Sequence, residues 1–308
     1  MNRREFLGTT VAVATGVAAS AEKGALLPII DTHQHLWDLK KFKLPWIKEG
    51  APLAKDHVTD DYLRATAGLN VVKAIYMEVD VAVEQQAAEA EYVLALCRRL
   101  DTPTVAAVIS GRPASEGFAK YLEPYRNLDL IKGVRQVLHS DSAPAGFCLG
   151  KDFVRGVRLL GDMGKSFDLC MRPGELLDAA KLIDECPGTR FILDHCGNGP
   201  VFDKDRTKWK EGIAEVARRK NVVGKVSGIV AQASPGKWQA DDLAPVINHT
   251  LEVFGLDRVM FAGDWPVCTL AGTYKQWVEA LKTIVASRPR LEQRKLFHDN
   301  AERFYGLE

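Results

Sequence analysis

The stretch "PIIDTHQHLWDLKKFKLPWI", residues 28–47, begins as an apolar, β-rich run and ends that run with two histidines one residue apart. In a strand, successive side chains point to opposite faces, so His33 and His35 share one face while Gln34 points away. Two imidazoles then converge on one small volume, suited either to holding a cation or to moving protons. The loop that follows carries Trp37 and Trp46 and lacks the glycine-rich phosphate turn with which an open doubly wound sheet usually advertises itself. That favours a closed barrel over the open sheet and argues against a nucleotide site after the first strand.

Working outward from 28–33, further short β-rich runs lie at 71–78, 104–110, 130–138, 166–172, 190–196, 222–228 and 258–264. Helical patterns separate or follow them at 59–67, 84–100, 151–163, 174–185, 207–220, 240–254, 274–287 and 291–304. Strands that are nearly continuous apolar runs, each feeding a helix, imply parallel pairing with both sheet faces covered. Eight such units predict a (β/α)8 barrel in a single domain over residues 22–308, a length in keeping with barrels of about 250 residues.

Residues 1–21 stand apart from that domain. "MNRREFLGTTVAVATGVAASA" pairs Arg3 and Arg4 with an apolar, small-residue run and an Ala19-Ser20-Ala21 end, and it resembles a twin-arginine signal peptide. The run is too short to span a bilayer, which takes about 20 apolar residues, so a periplasmic or otherwise exported protein without stable membrane insertion is expected. The 308 residues carry 41 basic and 40 acidic side chains, no charge footprint for nucleic acid. An exported chain meets a compartment that permits disulfides. None of the six cysteines, 97, 148, 170, 186, 196 and 268, forms a Cys-x-x-Cys pair; buried free thiols are expected, with a bridge from Cys148 to another loop cysteine as the alternative.

Barrel active sites are built where the strands finish, so the last residues of each strand read as one list of inward-facing groups. That list is His33 and His35, then Glu78, Arg135, Arg172, His195, Lys225 or Ser227, and Asp264. Each alone has a structural explanation, but their joint appearance at the same end of different strands does not. Asp264 ends an apolar run beside Trp265 and Pro266, where a partly desolvated carboxylate can bind a cation or accept a proton from water. Three imidazoles with one carboxylate suffice for one divalent metal, zinc foremost and manganese next, with an open position; Glu78 is a candidate extra ligand. Without a metal, the same histidines would polarise a carbonyl directly. Arg135, Arg172, Lys225 and His139 are candidate substrate contacts, the arginines suiting an anionic or hydroxyl-rich molecule unless they pair with local acids such as Glu78 or Asp168. Among the tryptophans, Trp37 and Trp265 flank the polar cluster and are expected to wall the site. His57, His249 and His298 are expected to be structural or superficial, and Cys196 to be packing.

The segments "DTHQHLWD", "LDHCGNGP", "FAGDWPV" and "HDNAERFYGL" together resemble the amidohydrolase superfamily, and within it the lactonase branch that includes fuconolactonase-like and pyrone-dicarboxylate lactonase-like hydrolases. The resemblance runs from about residue 28 to the end of the chain. It implies a distorted barrel, hydrolysis of a lactone, His33, His35 and His195 around the reacting carbonyl, and Asp264 as general base for water. Many metal-dependent relatives place a bridging lysine on the fourth strand and a histidine at the end of the fifth. Arg135 and Arg172 stand there instead, so a two-metal centre is not expected. A small carbonyl substrate, a sugar lactone foremost, is the expected partner, with a second copy of the chain in a homo-oligomer as a further one. Alternatives are a metal-dependent non-oxidative decarboxylase of the same superfamily and a non-catalytic periplasmic ligand-binding barrel.

Overall fold

The computed structural model describes residues 26–307; the leader expected over residues 1–21 lies outside them. Eight strands, β1 Ile29–Gln34, β2 Val71–Met77, β3 Thr104–Ser110, β4 Ile131–Val137, β5 Ser166–Cys170, β6 Arg190–Leu193, β7 Val222–Val226 and β8 Val259–Phe261, form one sheet in sequential order. Every neighbouring pair is parallel. The sheet closes just past β8, where Asp264 N–H donates to His33 O at 2.9 Å and His35 N–H donates to Trp265 O at 2.8 Å. The result is the (β/α)8 barrel that the alternation of runs predicts.

The inner core is small and apolar: Ile30, Ile75, Met77, Ala106, Val108, Ile192 and Met260, with Ala301 and Tyr305 of the C-terminal helix Asn300–Tyr305 packed against them. A larger core fills the space between strands and surrounding helices, including Ile29, Phe167, Phe191, Trp277 and Phe297. Every strand supplies apolar side chains to the outer core and β1, β2, β3, β6 and β8 also supply buried ones to the inner core, which explains the largely apolar runs.

Helices follow the expected pattern with shorter ends, for example Gln86–Cys97 within 84–100 and Thr207–Ala217 within 207–220. Two differences are larger. A short helix, Phe118–Leu122, running into the 3-10 turn Glu123–Tyr125, fills the β3–β4 crossover. The five residues of Phe118–Leu122 are too few to show helical periodicity. The expected C-terminal helix at 291–304 is three pieces, Arg290–Arg294, a π-helical turn at Lys295–Asp299, and Asn300–Tyr305. Strand ends also fall short of their expected limits. Residues 195, 196 and 198 and residue 264 take left-handed φ of 51–55°, which L-residues rarely adopt and which no strand continues through. His195 therefore opens the short turn His195–Asn198 after β6 and Asp264 sits in the loop after β8; Glu78 follows the end of β2 and Arg172 the end of β5.

Candidate active site

The carboxyl ends of the strands bring His33, His35, His195 and Asp264 together. The His33 ring lies 4.8 Å from the His35 ring and 4.6 Å from the His195 ring, centre to centre. Asp264 Oδ1 stands 3.4 Å from His35 Nε2 and 3.7 Å from His33 Nε2. What holds β1 against the β8 loop is Asp31, which is fully buried and accepts from His33 N–H at 3.0 Å, Gly263 N–H at 2.7 Å, Tyr62 Oη at 2.8 Å and Tyr274 Oη at 3.0 Å. Burial raises the Asp31 pKa, and these four donors work against that rise by stabilising the anion. The β1–β2 register also shifts between Asp31 and Gln34, a local irregularity of the kind that re-aims side chains beside active sites.

Hydrogen bonding fixes the ring orientations. His35 Nδ1 faces the Met77 carbonyl at 3.0 Å, and a carbonyl only accepts, so Nδ1 carries the proton. In a neutral His35, Nε2 then turns a lone pair toward the Asp264 carboxylate. His33 Nε2 lies 3.2 Å from Arg135 Nη1, an obligatory donor, so this nitrogen is also an acceptor and the His33 proton sits on Nδ1, 3.5 Å from Asp194 Oδ1. His195 Nδ1 meets Ser227 Oγ at 2.9 Å. Burial pushes His33 well below the ordinary imidazole pKa and lowers His195 too, which keeps both rings neutral near pH 7.

The His35 Nε2 lone pair set against the Asp264 carboxylate calls for a proton or a cation between them. One ligand atom each of His33, His195 and Asp264 lies within 4.8 Å of the others. A tetrahedral zinc with bonds of about 2.0–2.1 Å separates its ligand atoms by roughly 3.3–3.4 Å. The 3.4 Å His35–Asp264 separation matches that spacing and the 3.7 Å His33–Asp264 separation is slightly longer. The donor set fits one divalent ion.

A buried ionic layer supports the cluster. Glu78 receives Arg135 Nε on Oε1 at 2.6 Å and the Asp80 N–H on Oε2 at 2.7 Å, while its own carbonyl accepts from Arg135 Nη2 at 2.8 Å. Glu78 thus has both oxygens occupied and belongs to no candidate ligand group among the described residues, contrary to its expected role as an extra metal ligand. Lys225, fully buried, reaches Asp168 at 2.6 Å and Asp194 at 3.2 Å. Burial works against its ammonium, but the two carboxylates outweigh burial and raise the Lys225 pKa. Burial likewise opposes charge on Asp194, yet Lys225 and His33 hold that carboxyl well below the usual range. Lys225 is therefore a support beneath the cluster and not the substrate contact expected of it.

The cluster opens into a cavity of about 380 Å³, lined by His35, Arg135, His139, His195 and Asp264 together with Trp46, Asp80, Cys170 and Asn198. Arg172 does not reach it. Its guanidinium donates to the carbonyls of Leu138, Ser140 and Ala143 and to Glu175, tying down the loop after β4. Trp37 and Trp265 also fall outside the lining: Trp37 is fully buried with Nε1 on Lys55 O, and Trp265 packs edge-on against His57 and Tyr62. The indole that does line the cavity is Trp46, held by Nε1 on Val79 O at 2.7 Å. All six cysteines are free thiols, and Cys196 is fully buried, as packing requires.

Several functional positions escaped the reading of strand ends. Asp31 and Asp194 lie inside the "DTH" and "LDH" segments, and their position beside the histidines was the available signal. Gly228 has φ 68°, and a Cβ there would sit 2.3 Å from His195 Nδ1, so only glycine leaves the imidazole its place. Asp80, with φ 49°, had no local signal.

Comparison with known proteins agrees with this geometry. A family model described as amidohydrolase matches residues 30–307. An L-fucono-1,5-lactonase of Burkholderia multivorans is 29% identical over 90% of this chain and 96% of its own length. An L-rhamnono-gamma-lactonase of Scheffersomyces stipitis is 24% identical over 91% of this chain and 98% of its own. Among solved structures, an amidohydrolase from Burkholderia multivorans with bound zinc superposes with a TM-score of 0.79 at 25% identity, covering 91% of this chain and 99% of that one.

Proposed function

The chain belongs to the amidohydrolase family and is a hydrolase, and from that premise we propose that it opens a sugar lactone by attack of water on the ring carbonyl. The observation that carries this reading is the Asp264 carboxylate set with His35 and His195 in the lining of one cavity, with His33 buried beside them. The names of the two lactonase relatives support the substrate class.

In this mechanism Asp264 takes a proton from the attacking water as the new C–O bond forms. Negative charge develops on the carbonyl oxygen, where Arg135 and the neutral His195 line the cavity and supply electrostatic stabilisation. Collapse of the tetrahedral intermediate breaks the bond to the ring oxygen, and protonated Asp264 returns its proton to that leaving group, giving the open hydroxy acid. His33, His195 and Asp264, with His35 beside them, are the residues that would hold a divalent ion. The chemistry such an ion supplies when bound is Lewis-acid polarisation of an oxygen.

A panel of aldonolactones tests the reading, with acid release and metal content followed before and after chelation. Acid without carbon dioxide is expected, with about one zinc or manganese per chain and activity that falls on chelation. Carbon dioxide released from a carboxylate substrate, with lactones untouched, would replace this reading by a decarboxylase. Residues 1–21 belong to the same proposal as a twin-arginine leader that sends the enzyme out of the cytoplasm. N-terminal sequencing of the mature protein from its native host should begin at or near residue 22; retention of the leader would contradict export.

A further inference from the structure

We propose that Asp80, braced by Arg112 and flanked by the Trp46 indole, forms a subsite that recognises the ring hydroxyls of a neutral sugar lactone and discriminates against anionic lactones. This rests on the lactonase reading and adds to it a determinant of substrate choice.

Asp80 stands three residues beyond the end of β2 and lines the cavity without belonging to the histidine cluster. Its placement is over-determined. The backbone is held in a left-handed conformation with N–H on Glu78 Oε2, and Arg112 Nη2 donates to Asp80 Oδ1 at 2.7 Å. Arg112 is itself anchored through Nη1 to Ser110 Oγ and to Gly111 O. The carboxylate is thus fixed before any ligand arrives, and among the described residues none donates to Oδ2. An ionised carboxylate only accepts, so the group that completes this site must be a donor. Hydroxyls are the donors a sugar lactone carries.

Trp46 gives the second half of the subsite. Its ring nitrogen donates to Val79 O, the residue before Asp80, so indole and carboxylate are fixed to one another. Trp46 is 42% exposed while lining the same cavity. A rigid aromatic face beside a carboxylate suits a ring with an apolar face and hydroxyl edges.

Charge points the same way. Among the described lining residues the one fixed cation is Arg135, already paired with Glu78 at 2.6 Å, and Arg112 behind the lining is already paired with Asp80 at 2.7 Å, so neither guanidinium is held ready for a substrate carboxylate. His139 adds no positive charge near pH 7, because burial and the neighbouring His195 and Arg135 lower its pKa to about 4. A lactone carboxylate placed there would set one acceptor against another at Asp80 Oδ2, and a neutral polyol offers a donor instead.

The test compares a neutral aldono-1,5-lactone, an unsubstituted six-membered lactone and a lactone carrying a carboxylate, in wild type, Asp80→Ala and Asp80→Asn. Wild type should favour the aldonolactone. Asp80→Ala should lower kcat/KM for it by about 10–100-fold, mainly through KM, as expected for loss of a hydrogen bond to a charged acceptor. The loss for the hydroxyl-free lactone should stay within about threefold, and relative activity on the anionic lactone should rise. Asp80→Asn should fall between the two on the aldonolactone. Equal losses on all three substrates would show that the Asp80–Arg112 pair only braces the loop, overturning this subsite while leaving the lactonase reading intact. No hydrolysis of any lactone by wild type would overturn both.

Discussion

Asp264→Asn is expected to lower kcat/KM for a sugar lactone by about 10²–10⁴-fold, the usual contribution of a positioned general base. The substitution keeps the size and shape of the side chain and removes its ability to take a proton. Asp264 is 3% exposed and its Oδ1 faces His33 and His35, so no bulk water stands ready to replace it as base. The backbone at this position adopts φ 54°, which asparagine tolerates better than most residues, so the fold should survive. The loss should therefore appear in kcat, with lactone affinity close to wild type by calorimetry. Activity within tenfold of wild type would remove Asp264 from the proton-transfer role.

Lys225→Met should destabilise the protein by about 3–5 kcal/mol, the range seen when one partner of a buried ion pair is removed. Methionine fills much of the same volume but leaves Asp168 and Asp194 without the cation that lies 2.6 and 3.2 Å from them. Burial already pushes the Asp168 carboxyl up to about 7 despite Lys225, so this acid can relieve part of the cost by taking a proton. Asp194 has less freedom because it also faces the His33 ring and the Arg135 guanidinium. Urea unfolding at neutral pH measures the loss, and adding Asp168→Asn to Lys225→Met should recover part of it. A loss under 1 kcal/mol would mean that the layer beneath the histidines is not the structural support described above.

How much of this was legible in the chain differs by residue, and the difference has a physical cause. The eight strands could be read because each buries apolar side chains against the surrounding helices and most also bury them toward the barrel axis, which leaves largely apolar runs. His33, His35, His195 and Asp264 could be read because the ends of parallel strands meet at one mouth whatever the loops do. Strand ends were overestimated at β6 and β8, where left-handed residues leave the sheet without a change in hydrophobic pattern. Arg172 could not be placed because its fate depends on carbonyls 29 to 34 residues away in the loop after β4. Trp37 and Trp46 share one loop, and nothing local shows that the first folds inward to Lys55 O while the second reaches the cavity. Lys225 was assigned the right end of the barrel and the wrong depth, because alternation fixes the face of a strand residue but not how far a long side chain reaches toward neighbouring acids. Asp80 had neither a motif nor periodicity to mark it; a turn puts it at the cavity.

The most direct measurement is a crystal structure of Asp264→Asn with an uncleaved neutral aldonolactone. The account predicts the lactone in the cavity between Trp46 and the histidines, its carbonyl carbon beside residue 264 and its carbonyl oxygen turned toward His195 and Arg135. A lactone bound elsewhere, or seated with its carbonyl away from residue 264, would contradict the account.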